Sequence, residues 1–347
     1  MKLLVIGLGS MGKRRIRCLK GLGYKYIWGY DESVTTAQSV FKEYEIDVCF
    51  RKRDLKNWIA EFQFDAMFVC TPPTTKDYYV ELANNNGIPC FCEADIVAYE
   101  GDYCPSRTMI YHPAVKKIKE LVRGREIGAT YAFTYHLGQH IKDWHPGANY
   151  SSYYAVKKET GGCREMFCFE VAWLSWVFGA PLDAKGFVSK QMADEEVAAD
   201  DVYAAIVKFQ CSTADSWWFN YFIHPLNKAN KQEIESTVTG TVLVDIVSRP
   251  PVRELVVIGS EGMLKWNWGG DCIDLITKDG SRKEKFDRGH AAKGYNENIP
   301  EQMYVDEVKA FMHDVLWRKS GQISARQYDY FKDEEAKVID TLRRVEE

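Results

Sequence analysis

Three glycines near the start of the chain have the spacing needed to receive a phosphate. Lys2-Leu3-Leu4-Val5-Ile6 is a short apolar run, and Gly7-Leu8-Gly9-Ser10-Met11-Gly12 follows it directly. Strand, glycine turn and helix start, in that order, bring backbone N–H groups and the positive end of a helix against an anion. Gly7 permits the tight turn, Gly9 lets the backbone approach the phosphates, and Gly12 permits close helix–strand packing. Ser10 and Met11 would present amides from the first turn of that helix. A second strand-like run, Tyr24 to Tyr30, ends at Asp31, about twenty residues past the glycines. A carboxylate there accepts hydrogen bonds from the adenosine ribose hydroxyls and repels a 2′-phosphate, which favours NAD over NADP. Read purely as structure, Asp31 is a helix N-cap or turn residue.

A second group of chemically capable residues lies on one helix. Gly161-Gly162 opens an apolar helical pattern that runs to Phe178 and is closed by Gly179 and Pro181. Arg164 and Glu165 fall in its first turn, where the dipole favours the carboxylate. Glu170 lies about 140° around from Glu165, among Phe167, Cys168, Phe169, Val171 and Trp173. A carboxylate in such company is either paired, for instance with an arginine, or functional with a raised pKa.

The elements that must position these residues follow two rhythms. Up to about residue 100, short apolar runs alternate with helical stretches: Asp47–Phe50, Phe64–Cys70 and Ile88–Cys92 as strands, with helices at Thr35–Tyr44, Leu55–Phe62 and Lys76–Asn84. That alternation predicts a parallel, doubly wound sheet covered on both faces. Thr71-Pro72-Pro73 and Glu93 then fall at the carboxyl edge of the sheet, where ligands bind in such folds. Beyond residue 110 a helix at Pro113–Val122 and a strand at Ala129–His136 lead to the glycine-opened helix. Strand-like runs follow at Ala184–Lys190, Val202–Gln210, Ser216–Ile223, Glu233–Val247, Glu254–Ile258, Gly262–Trp268 and Cys272–Ile276, which predicts an open, mainly antiparallel sheet. Two helices, Tyr304–Trp317 and Asp333–Arg344, close the chain. The expected organisation is a Rossmann domain over residues 1–110 and an α+β substrate and oligomerisation domain over 111–347, whose terminal helices can pack back on the first domain.

Composition narrows the function classes. A length of 347 residues accommodates two domains with real cores. A net charge of −4 leaves no basic footprint, so neither nucleic acid nor an anionic membrane is expected as a partner. Ten cysteines, scattered and without a CxxC pair, predict buried reduced thiols. No apolar run is long enough to span a bilayer, the chain opens directly on a strand, and a cytoplasmic location is expected. No His/Asp/Glu spacing suggests a metal. Trp217, Trp218, Phe219, Tyr221 and Phe222 make both faces of one strand apolar, one of which could meet a second subunit in a homodimer or homotetramer.

The order of these motifs resembles the Gfo/Idh/MocA oxidoreductases from end to end. It rests on Gly7–Gly12, Thr71-Pro72-Pro73, a strand ending in Glu93, a Tyr111-His112-Pro113-Ala114-Val115 helix start, the Gly161-Gly162 helix before the second sheet, and Glu307-Val308-Lys309-Ala310-Phe311. The stretch from Tyr135 to Phe178 resembles a subgroup from surface-sugar and sialic-acid-like sugar pathways. The resemblance implies NAD binding through Gly7, Gly9, Ser10, Met11, Gly12, Asp31, Thr71, Pro72 and Glu93, and redox chemistry at a hydroxyl or keto group of a sugar, amino sugar or sugar nucleotide.

Two departures qualify this implication. The family's Glu-Lys-Pro is Glu93-Ala94-Asp95 here, so the lysine that handles the hydroxyl proton is absent from that position. In the family's second signature, an Asp is followed four residues later by a His; here those positions are Glu165 and Phe169. Hydride removal from an alcohol still requires a base. The 136–170 segment, expected to line the substrate cleft, supplies the candidates: His145, Tyr153, Lys158 and Glu170 for catalysis, with His136 weighed as core or sheet surface. Arg164, Glu165, His140 and Arg107 are read as substrate contacts. Two other readings stay open: transient oxidation that serves elimination or epimerisation, and a cofactor-binding sensor that has lost its chemistry.

Overall fold

The computed structural model describes residues 1–93, 96–144, 153–194, 196–211, 236–289, 299–320 and 326–347. The chain divides into two compact units, residues 1–111 with 289–335, and residues 112–288 with 336–347. The Trp217–Phe222 segment, His145, Ala94 and Asp95 lie outside the described residues. No described helix is long and apolar enough to cross a membrane.

The first unit is built on strands β1 (Lys2–Ile6), β2 (Tyr26–Tyr30), β3 (Asp47–Cys49), β4 (Ala66–Val69), β5 (Cys90–Cys92) and β6 (Cys104–Pro105). They form one parallel sheet in the order β3-β2-β1-β4-β5-β6. The reversal between β1 and β4 is the switch point at which doubly wound sheets bind ligands. Helices α1 (Ser10–Gly21), α2 (Val34–Tyr44), α3 (Lys52–Phe62) and α4 (Pro73–Asn85) connect the strands. Leu3, Leu4, Val5 and Ile6 are all fully buried, as apolar runs must be when both sheet faces are covered. Leu4, Ile6, Met67 and Val69 join a core cluster with Leu55 and Ile59 of α3 and Val80 and Ala83 of α4. On the other face, Phe68 and Phe91 meet Phe311 with ring centroids 5.2 and 5.4 Å apart. Phe311 belongs to α7 (Gln302–Lys319), which also packs on α1.

The second unit holds β7 (Thr130–Gly138), β8 (Ala180–Ser189), β9 (Val202–Cys211), β10 (Ser236–Asp245), β11 (Val252–Gly259), β12 (Gly262–Asn267), β13 (Cys272–Thr277) and β14 (Gly280–Lys285). Their order is β14-β13-β12-β11-β7-β10-β9-β8. All neighbours run antiparallel except β7 and β10, which pair in parallel over Ala132–Gly138 and Thr239–Asp245. Hydrophobic alternation reports which face a residue takes and not the strand direction, so this pair was beyond a pattern reading. β14, with the sequence GSRKEK, lacks an apolar face because it is a charged edge strand.

Helix α6 (Cys163–Phe178) packs on one sheet face together with α5 (Pro113–Arg123). Phe133 stacks on Phe178 at 4.3 Å and meets Tyr135's face of the strand, where Tyr135 stands edge-on to Trp173 at 5.2 Å. Gly240 makes room for the Phe133 ring, since a Cβ there would lie 2.1 Å from it. The last helix, α8 (Arg326–Glu346), contributes residues to both units.

His112 begins α5: its Nδ1 accepts the Ala114 N–H at 3.2 Å, and the ring stacks on Trp268 at 4.8 Å. Burial, assisted by Arg253, Arg288 and Lys116, lowers its pKa from 6.5 to about 3. The unfolded chain therefore takes up a proton near pH 6.5 that the folded chain refuses until about pH 3, so stability is lost as pH falls through that window. In urea unfolding at pH 7, 6 and 5, His112→Asn, which can still cap the helix, should flatten the acid slope by up to about 1.4 kcal/mol per pH unit. Identical slopes in variant and parent would contradict this.

Candidate functional site

The glycine turn has the geometry its residues suggest. Gly7 adopts φ +83°, and a Cβ there would lie 2.8 Å from the Cys70 carbonyl oxygen. A Cβ on Gly12 would lie 1.9 Å from the Gly7 carbonyl oxygen, so helix and turn touch through backbone alone. Around Gly9 the position of a Cβ meets no atom within 4 Å. Gly9 caps α1 without a side chain, and the first turn holds no acidic residue that would repel an anion. Asp31 accepts the Leu8 N–H at 2.8 Å through one carboxylate oxygen and the Ser33 N–H at 2.8 Å through the other. The carboxylate is thereby fixed beside the turn, and each oxygen keeps a lone pair for a further donor. The Thr71 hydroxyl is buried with no hydrogen-bond partner among the described residues. Pro72 precedes α4, and Thr75 donates its N–H to the Pro72 carbonyl at 3.1 Å. An open cradle at an uncapped helix start, a fixed carboxylate and an orphaned hydroxyl fit a dinucleotide.

Glu93, just past β5, is held by two buried cations. Arg15 of α1 donates to its carboxylate through Nε at 2.5 Å and Nη2 at 3.0 Å. Lys76 of α4 donates from Nζ to its main-chain oxygen at 3.1 Å. Arg15 also binds Glu307 of α7 through Nη1 at 2.7 Å, and Glu307 in turn accepts from the Arg107 N–H and the Ser106 and Thr108 hydroxyls. Burial works against the charge on Arg15, but Glu93 and Glu307 outweigh it and raise its pKa well above the usual value. The sequence reading does not single out Arg15 or Lys76, because nothing in a helical repeat marks which cation is buried.

In the second unit, Glu170 is fully buried. One carboxylate oxygen pairs with Arg253 of β11, and the other accepts from the Tyr135 hydroxyl and from Trp173 Nε1 at 2.5 Å. Burial, then the Glu170 charge, pushes the Tyr135 phenol well above its ordinary pKa, so it stays a neutral donor. Of the two alternatives the structure shows the pairing, with Arg253, which also lies over the Trp268 ring at 4.7 Å.

The other candidates are placed as follows. Glu165 accepts from the Tyr154 hydroxyl at 3.2 Å, and Tyr153 packs edge-on against Tyr154 at 5.2 Å. Arg164 forms two bonds to Glu346, at 2.6 and 3.0 Å, and one to the Glu159 carbonyl at 2.9 Å. Lys158 is exposed. His140 accepts the Lys142 N–H at 3.3 Å. Arg107 belongs to the first unit, where it is buried and donates to the Phe331 carbonyl at 3.3 Å. His136, on the sheet face opposite Tyr135, bonds Asp245 at 2.7 Å. Burial opposes the Asp245 charge, yet His136, the Ser248 hydroxyl and two backbone amides lower its pKa. Among the described residues no group of three or more His, Cys, Asp or Glu is placed to hold a metal.

Residues 1–98 match the sequence model of the Gfo/Idh/MocA oxidoreductase family, described as an NAD-binding Rossmann fold. Among curated proteins, none matches the chain by sequence. An oxidoreductase from Agrobacterium radiobacter, solved with NAD+, L-tartaric acid and magnesium, is similar at a TM-score of 0.75 and 11% identity, over 100% of this chain and 95% of that one. Myo-inositol 2-dehydrogenase from Lactobacillus plantarum follows at 0.69 and 16%, over 100% and 97%. A levoglucosan dehydrogenase in complex with NADH gives 0.69 and 13%, over 99% and 97%. At such identities the likeness is one of fold. Residues 1–98 therefore match the Gfo/Idh/MocA NAD-binding Rossmann model, and the whole chain shares the fold of these solved proteins.

Proposed function

We propose that this chain is an NAD-dependent oxidoreductase that acts on a hydroxyl or keto group of a sugar, amino sugar or sugar nucleotide. The observation that carries the reading is the open space at Gly9, over an uncapped helix start beside the fixed Asp31 carboxylate. The backbone amides at Ser10 and Met11 would hold the pyrophosphate and Asp31 the adenosine ribose, with Thr71, Pro72 and Glu93 at the edge of the sheet. When bound there, NAD+ would supply the hydride acceptor for the carbon that bears the hydroxyl. The substrate class is supported by the named activities of two similar folds, on myo-inositol and levoglucosan.

Position 94 is alanine, so the hydroxyl proton must leave through other groups. We assign it to the 136–170 segment, with His145, Tyr153, Lys158 and Glu170 as the candidate proton carriers and Arg164, Glu165, His140 and Arg107 as substrate contacts. A second copy of the chain is proposed on the sheet face that exposes Phe187 and Ile206, which are 84% and 57% accessible.

Two measurements check these assignments. With a panel of polyols, aldoses, amino sugars and sugar nucleotides, nicotinamide absorbance should change with at least one. Of His145→Asn, Tyr153→Phe, Lys158→Met and Glu170→Gln, at least one should then lose turnover by about a hundredfold while still binding NADH. Silence across the panel, or four fully active variants, would contradict the assignment. Sedimentation should give a dimeric or tetrameric mass, and a monomer would remove the proposed interface.

A further inference from the structure

Lys76 sits in the first turn of α4 and is only 2% exposed. Lysines seldom bury the ammonium, and when they do the charge must be compensated. Here Nζ donates to the Glu93 carbonyl at 3.1 Å. The same residue is gripped elsewhere as well. Its N–H donates to the Val69 carbonyl at 3.0 Å, and its carboxylate takes two bonds from Arg15 and a contact from the Cys70 thiol at 3.8 Å. Arg15, Lys76, Glu93 and Glu307 thus bring two cations and two carboxylates together around the end of β5.

The place of this grip gives it meaning. Glu93 follows β5, and Cys70 follows β4, on the far side of the switch point from the strand that leads to Asp31. In a doubly wound sheet the two halves of a dinucleotide lie on opposite sides of that point, so the nicotinamide half faces the carboxyl ends of β4 and β5. The next residue in the sequence is alanine, which has no polar side-chain group.

We propose that Lys76 is a positioning residue for the nicotinamide half of NAD. Acting through the Glu93 carbonyl, it fixes the main chain where β5 ends and so shapes the surface on which the nicotinamide ring rests. The proposal depends on the NAD reading above. A lysine buried only for the fold would, when replaced, leave the ratio of NADH to ADP-ribose affinity unchanged, whatever its effect on stability.

The test titrates the full chain with NADH and with ADP-ribose, which lacks the nicotinamide ring. Lys76→Met should weaken NADH by about tenfold while ADP-ribose stays within about twofold, and Lys76→Arg, which keeps a donor, should recover most of the NADH affinity. The ratio of the two affinities within one variant does not depend on how much of that variant is folded. A Lys76→Met variant that weakens both ligands equally, or neither, overturns the proposal. Parent protein that binds neither ligand overturns the NAD reading, and this proposal with it.

Discussion

The Arg15 guanidinium is completely buried, held between carboxylates contributed by Glu93 and by Glu307, far along the chain. Breaking a buried pair of this kind costs about 3–5 kcal/mol, because the surviving charge cannot reach water. Every neighbour is therefore tied to one arrangement. Arg15 is on the helix that follows the glycine turn, Glu93 follows β5, and Glu307 lies on α7 and also receives Ser106, the Arg107 amide and Thr108. The Arg15 guanidinium lies over the Phe91 ring at 4.6 Å, which places it directly against the sheet. One cation thus joins the helix after the glycine turn, the edge of the sheet and α7 within a single unit.

That constraint explains how a turn made largely of glycine can be a binding surface. Glycines at positions 7, 9 and 12 give the backbone freedom that would be lost to entropy unless something else fixed the turn. The Gly7 N–H bonds the Tyr30 carbonyl at 2.8 Å, Asp31 holds the Leu8 amide, and Arg15 anchors the helix one turn beyond Gly12. The open side of Gly9 is then presented without rearrangement. The second unit repeats the device with Glu170 and Arg253, a buried pair that joins α6 to β11 and fixes the Tyr135 and Trp173 side chains around it.

Much of this was legible in the sequence. The glycine spacing, the alternation of strands and helices before residue 100 and the helix opening at Gly161-Gly162 all register backbone requirements that few other residues meet. Gly162 has φ +63°, and a Cβ there would press on Ala199 at 2.9 Å, so glycine marks that helix start for a steric reason. The apolar company of Glu170 likewise pointed to either a partner or a functional carboxylate. The partner's identity did not follow, because Arg253 is 83 residues away and only the sheet brings it near. Arg15, Lys76, and His136 with Asp245 escaped for the same reason: a charged residue on a helix or strand looks solvated until the tertiary fold encloses it. The parallel β7–β10 pair escaped because strand direction leaves no mark on hydrophobic alternation.

The central claim is that this turn and its fixed carboxylate bind NAD in preference to NADP. Parallel calorimetric titrations of the full chain with NADH and NADPH test it most directly. The account predicts one NADH bound per chain, at least about tenfold tighter than NADPH, since the Asp31 carboxylate repels a 2′-phosphate. No NADH binding, or tighter binding of NADPH, would contradict it.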